Sequence, residues 1–182
     1  MRFGKLQNLC KFALTLQALF ELPIIMKAIL LVIGKTDETY VNEGIDKYSK
    51  RINKYLPFNL EVIPDLKHAK NLGREQQKEK EGELILKKIN QGDVLILLDE
   101  GGKEFNSHKF SNWMNSLMLS GKKRMIFVVG GPYGFSEQVY QKADFKLSLS
   151  KMTFSHQIIR LLFCEQFYRA HTILKGEPYH HD

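Results

Sequence analysis

Near the end of this chain of 182 residues, polar side chains collect where a strand pattern gives way to a helical one. Ser148, Ser150, Lys151, Thr153, Ser155 and His156 lie at that junction, with Arg160 one turn further on, and a core would not need them. His156 is a candidate base because an unperturbed imidazole titrates near neutrality; the alternative is a structural histidine at a helix start. Arg160 offers several donors in one fork, fit for a carbonyl or a phosphate, with a buried ion pair across a dimer interface as the alternative. In open α/β sheets ligands bind at the carboxyl ends of strands, so the junction is a site candidate by position.

A second concentration is Gly130-Gly131-Pro132-Tyr133-Gly134-Phe135, whose glycines allow positive φ and close backbone approach to a ligand. The cluster is a poor dinucleotide fingerprint, since it follows the fourth strand rather than the first. Gly34-Lys35-Thr36 lacks the earlier glycine of a phosphate-cradling G-x-x-x-x-G-K-S/T loop, Ile29 standing in its place, and no paired carboxylates and no metal-ligand spacing stands out. What remains is a pocket rich in backbone groups, suited to an uncharged or zwitterionic nucleoside-like ligand.

The elements that would position these residues alternate along the chain. Strand patterns run over 28–33, 58–63, 93–98, 124–129 and 144–149, and helical spacing over 37–53, 75–90, 107–119 and 136–142 before the last helix. Ser107 and Ser136 stand where caps are expected, and 99–103 reads as a loop. In the last helix the spacing puts His156, Arg160, Cys164 and His171 on one stripe and pairs Glu165 with Arg169 on another. The pattern predicts an α/β fold: a largely parallel sheet with helices on both faces. The exits after the third, fourth and fifth strands then converge if those strands are neighbours.

The hydrophobic fraction of 43% suffices for one domain that folds without staples. Two cysteines, Cys10 and Cys164, make neither a disulfide framework nor a zinc set, which fits a reducing, cytoplasmic setting. A formal charge of +7 favours a polyanionic partner, against the alternative that excess lysine serves solubility. The basic segment 67–74, with lysines such as Lys67 and Lys70, is the better candidate for phosphate contact, whereas Lys78-Glu79-Lys80-Glu81 reads as a solvated face. Residues 1–25 read as an extension outside the fold, interrupted too often by polar residues for a secretory core and too short and polar for a membrane span. An upstream start codon, a loosely attached amphipathic helix and a transit peptide remain open.

Taken together, the strand end Leu98-Asp99, the run Val128-Val129-Gly130-Gly131-Pro132-Tyr133-Gly134, the stretch LSLSKMTFSHQIIRLLFCEQFYRA and the terminal Gly176-Glu177-Pro178-Tyr179-His180-His181 resemble the ribosomal RNA large subunit methyltransferase H family. The resemblance covers 26–182. It implies a SPOUT-class fold with a C-terminal trefoil knot, a homodimer, and S-adenosylmethionine-dependent methylation of N3 of a pseudouridine in 23S rRNA on the assembled 70S ribosome. It implies cofactor contacts at Leu98, Gly130, Leu149, Ser150, Lys151, Met152, Thr153 and Phe154. Catalytic roles are expected for Arg160, His156, Tyr179 and His180, the last two as tail residues that stack on or hydrogen-bond to a base. Many family members have proline where this chain has Ser155, which loosens the start of the last helix. A non-catalytic ribosome-binding factor retaining the fold is the alternative, and a flavodoxin-like enzyme a third.

Overall fold

Runs of β-branched and aliphatic residues produce three strands buried on both faces, and these form the centre of the sheet. In the computed structural model, which describes residues 26–66 and 72–180, β1 (Lys27–Ile33), β2 (Phe58–Ile63), β3 (Val94–Glu104), β4 (Arg124–Val129) and β5 (Phe145–Ser148) pair in the order β2-β1-β4-β3-β5, all parallel. Alternate side chains divide between two cores. Ala28, Leu30, Val32, Ile96 and Phe127 face one; Ile29, Leu31, Leu95, Leu97 and Val128 face the other.

Helices cover both faces. α1 (Thr39–Ile52), α3 (Ser107–Met118) and α5 (Ile158–Lys175) pack on the first core through Val41, Ile45, Phe110, Met114, Phe163 and Phe167. α2 (Arg74–Leu86) and α4 (Glu137–Lys142) cover the second through Ile85 and Val139. The last helix rests on the sheet through aromatic contacts, with ring centroids 4.6 Å apart for Phe127 and Phe163 and 5.4 Å for Phe127 and Phe167. The Ser111 hydroxyl, fully buried, donates to the Ala170 carbonyl at 2.9 Å and pins α3 to α5.

The structure changes several local expectations. Asn106, not Ser107, caps α3, its side-chain oxygen accepting from the Lys109 amide at 2.8 Å. Ser136 occupies the cap position of α4 without capping it. β3 does not end at Leu98 but continues to Glu104, because a register shift between Leu98 and Lys103 lets the strand bulge and pair again with β5. α5 begins at Ile158, so His156 lies in the turn before it and shares no helical stripe with Arg160. The residues 1–25, with Cys10, and Lys67, Lys70 and His181 lie outside the described residues. Among the described residues, no helix is long and apolar enough to cross a membrane.

Near the C-terminal end of α5, His171 is buried, stacked on Tyr55 at 5.3 Å and edge-on to Phe167 at 4.9 Å. Burial, with Lys175 one turn away, lowers its pKa to about 4. The unfolded chain therefore binds the proton more readily than the folded one between about pH 6.5 and pH 4. Stability should fall through that window as the pH falls, by about 3 kcal/mol over its whole width. Urea unfolding at pH 7 and pH 4.5 measures it, and a His171→Gln variant should show a flatter dependence.

Candidate functional site

β4, β3 and β5 are neighbours, so their carboxyl ends open side by side, and the segments leaving them line one cavity of about 890 Å³. The β3 exit contributes Leu98 to Gly101. The β4 exit contributes Gly130 to Phe135, and the β5 exit Leu147 to Ser150 and Met152 to His156. Arg74 and Lys78 of α2 and Tyr140 of α4 complete one wall.

Each segment is shaped by its own sequence. Gly131-Pro132-Tyr133-Gly134 closes as a turn, the Gly134 amide donating to the Gly131 carbonyl at 3.2 Å, with Gly134 at φ 80°. Gly130 leaves room that a Cβ would fill, 3.2 Å from the Gly134 carbonyl oxygen and the Phe135 ring. Beyond β5, the Ser148 hydroxyl donates to the Ser150 carbonyl at 2.8 Å and the Ser150 hydroxyl accepts from the Met152 amide at 2.9 Å. These local bonds replace a ladder and turn the chain sharply. The Thr153 hydroxyl donates to Glu100 at 3.0 Å, tying the β5 exit to the β3 exit.

Charge in the cavity is held in place. Asp99 accepts from the Tyr140 hydroxyl at 2.5 Å and from the Gly101 amide at 2.8 Å. Burial and the neighbouring Asp99 carboxylate push the Tyr140 hydroxyl well above the usual tyrosine range, so it acts as a neutral donor. His156 lies exposed at the cavity rim, its Nε2 3.3 Å from the Gln157 amide nitrogen. Gln157 in turn donates to the Lys35 carbonyl at 3.0 Å and accepts from the Asp37 amide at 3.1 Å, which anchors the rim to the segment after β1.

Of the residues expected from the sequence, Leu98, Gly130, Leu149, Ser150, Met152, Thr153, Phe154 and His156 come together here. Lys151 is exposed and outside the lining. Arg160, Tyr179 and His180 also lie outside it. Arg160 is fully buried and donates to the Ile33 carbonyl at 2.6 Å, the Gly34 carbonyl at 3.1 Å and the Thr36 hydroxyl at 2.8 Å. Burial lowers its pKa, opposed by Asp37 and Asp65. It thus ties α5 to the end of β1.

Tyr179 and His180 pack along α5 instead, beside Glu165 and Arg169, about 9–15 Å along the helix axis from the cavity-lining Ile159. The Tyr179 hydroxyl donates to Glu165 at 3.1 Å and meets the Tyr48 hydroxyl at 3.2 Å, while Arg169 lies over its ring at 4.9 Å. Burial, followed by Tyr48 and Glu165, raises its pKa. Glu165 and Arg169 form the expected pair at 2.5 Å.

Sequence reasoning missed Tyr140 as part of the site and did not join Arg74 to the pocket, whereas Asp99 lies in the β3 exit expected to line it. A tyrosine on a six-residue helix carries no periodic signal, and only the sheet order brings α4 to Asp99. The Asp99-Glu100 dipeptide was the available clue.

Comparison with known proteins covers the same span. Residues 26–180 match the family described as "Predicted SPOUT methyltransferase". Among curated relatives, the ribosomal RNA large subunit methyltransferase H of Parabacteroides distasonis is 62% identical over 157 residues, 86% of this chain and 100% of that protein. The protein of the same name from Christiangramia forsetii is 59% identical over 152 residues, 84% of this chain and 97% of that protein. Among solved structures, a TrmH/SpoU tRNA modifying enzyme from A. aeolicus aligns with a TM-score of 0.45 at 12% identity, covering 87% of this chain and 85% of that one. The SpoU methyltransferase AviRb from Streptomyces viridochromogenes, in complex with AdoMet, aligns at 0.39 and 10% identity, covering 81% and 58%.

Replacing Arg160 with Met removes three hydrogen bonds and leaves two buried carbonyls unpaired. Stability should drop by about 2–4 kcal/mol in urea unfolding.

Proposed function

The chain belongs to the ribosomal RNA large subunit methyltransferase H family of SPOUT methyltransferases, and on that premise we propose that it methylates N3 of a pseudouridine in 23S rRNA, with S-adenosylmethionine as donor and the assembled 70S ribosome as substrate. The observation that carries the reading is the cavity itself. It is built at the ends of three neighbouring strands from backbone-rich, glycine-containing segments, and it coincides with eight of the residues the family resemblance assigns to cofactor or chemistry.

The residues present suit that cofactor. Apolar Leu98, Leu147 and Phe135 offer a flat-walled recess for a base, the open turns offer amides and carbonyls, and the carboxylates Asp99 and Glu100 complement a cation. When bound, S-adenosylmethionine supplies a methyl group already activated by its sulfonium. The protein's work is to align an acceptor nitrogen with that methyl and to take the imide proton the nitrogen must lose. His156, at the rim, is the group placed to accept it. Arg160 acts as a positioning residue, holding the helix that follows His156 against the end of β1.

Tyr179 and His180 do not reach the cavity of their own chain, and Leu161 and Leu162 of α5 stay partly exposed. A homodimer accounts for both features, with a second copy covering α5 and its tail meeting substrate. The trefoil knot of the SPOUT class belongs to the same proposal. The charge of +7 then serves attraction to phosphate, with Lys67 and Lys70 as candidates and the ribosome completing the recognition surface.

Labelled methyl from S-adenosylmethionine should appear chiefly on 70S ribosomes lacking the modification, compared with free 50S subunits and naked 23S rRNA, and should map to a pseudouridine. No label on any RNA, despite cofactor binding, overturns the substrate assignment. Tyr179→Ala should lower turnover at least about tenfold with cofactor affinity little changed. Full activity of a monomer at micromolar concentration would rule out the dimer.

A further inference from the structure

The glycine turn of the cavity does not stand alone; it is keyed into α2 by two reciprocal contacts. Glu81 is only 3% exposed, and its carboxylate, Oε2 foremost, fills the space where a Cβ on Gly131 would be. In return Ser136, just past the turn, fills the space of a Cβ on Gly82 with its Oγ. Arg74, at the first turn of α2, lies over the Tyr133 ring at 5.5 Å. Side chain meets glycine in both directions, so neither element shifts without the other.

The polar groups at these contacts are incompletely satisfied. Gln77 donates to Glu81 Oε1 at 2.8 Å, while Glu81 Oε2 and Ser136 Oγ are buried without a hydrogen-bond partner. Apolar residues would fill the same space without that cost, so a buried carboxyl at this place calls for a role beyond packing. Burial raises the Glu81 pKa, Gln77 opposes the shift and Asp65 adds to it.

We propose that Glu81 is a positioning residue for the Gly131–Gly134 turn, and that with Ser136 it forms a buried latch setting the affinity of the cavity for S-adenosylmethionine. The inference rests on reading the cavity as the cofactor site. Glu81 touches no reacting atom; it acts by fixing the backbone of a turn that does line the cavity.

The test uses the full chain and its Glu81→Ala, Glu81→Gln and Ser136→Ala variants. Isothermal titration gives the Kd for S-adenosylmethionine, urea unfolding gives stability, and amide hydrogen exchange over 130–136 tracks the turn without ligand. Glu81→Ala should weaken binding about tenfold and speed exchange in the turn. Glu81→Gln, which keeps the shape and the contact with Gln77, should restore the Kd to within about threefold of the parent. A Glu81→Ala variant that is merely less stable, with Kd and turn exchange unchanged, overturns the latch. If Glu81→Ala fails to fold, Ser136→Ala carries the test with an expected change of about threefold, and an unchanged Kd and exchange overturn it. If the parent chain itself binds no S-adenosylmethionine, the cofactor reading falls, and with it the affinity role; unchanged turn exchange in the variants would then remove the latch as well.

Discussion

Leu147 of β5 pairs with two residues of β3, Leu98 before the bulge and Lys103 after it, and the cavity depends on that double pairing. The four residues between them cannot stay in the ladder, so they leave it at the carboxyl end of the sheet and become a wall. Gly102 makes this close approach feasible: a Cβ there would stand 2.6 Å from the Leu147 amide nitrogen. β5 is only four residues long, and the chain beyond it must turn at once. The serine-rich segment supplies the bonds that such a turn requires.

One arrangement recurs outside the core, the pairing of partly buried tyrosine hydroxyls with carboxylates. Tyr140 donates to Asp99 at the cavity, Tyr179 to Glu165 along α5, and Tyr55 to Glu177 at the chain's end. In each pair burial and a nearby carboxylate raise the hydroxyl's pKa, so the tyrosine remains a donor at neutral pH. The first pair holds a carboxylate at the cavity wall, whereas the other two fasten the tail to α5 and to the turn after α1. The same chemistry thus serves a site and an anchor, and location alone separates them. Arg160 is a related case, because its guanidinium is spent on backbone carbonyls rather than on a carboxylate.

Much of the fold was legible because its signals are local. Continuous aliphatic runs marked β1, β3 and β4 as strands, and helical spacing marked α1, α2 and α3 as helices. The cavity residues that fall in the expected strand exits, such as Leu98, Gly130 and Thr153, were legible because three exits at one edge of a parallel sheet can converge. The features that escaped were set by distant contacts. Nothing in the sequence around Leu98 announces that β3 resumes at Lys103, since that depends on β5 some 44 residues later. Arg160 looked like a ligand fork because its guanidinium offers several donors; the structure turns those donors to the end of β1. Glu81, one residue of a charge-rich run, looked solvated, yet the glycine at 131 draws it inside.

The placement of the tail bears directly on assembly. Within one chain, the rim imidazole of His156 and the Tyr179–His180 pair belong to opposite ends of the α5 region, separated by about two to three helical turns. Tyr179 is held there by Glu165, Tyr48 and the Arg169 guanidinium, so unfastening it toward its own cavity would sacrifice several bonds for no compensating contact. The partly exposed apolar side chains of α5 lie on the same helix as that tail. A surface that both presents uncovered aliphatic groups and holds aromatic and basic side chains in fixed orientation is better suited to meeting another macromolecule than to folding back on itself. On the proposed function, a single chain provides the cofactor cavity, while recognition of a large folded RNA falls to a composite surface.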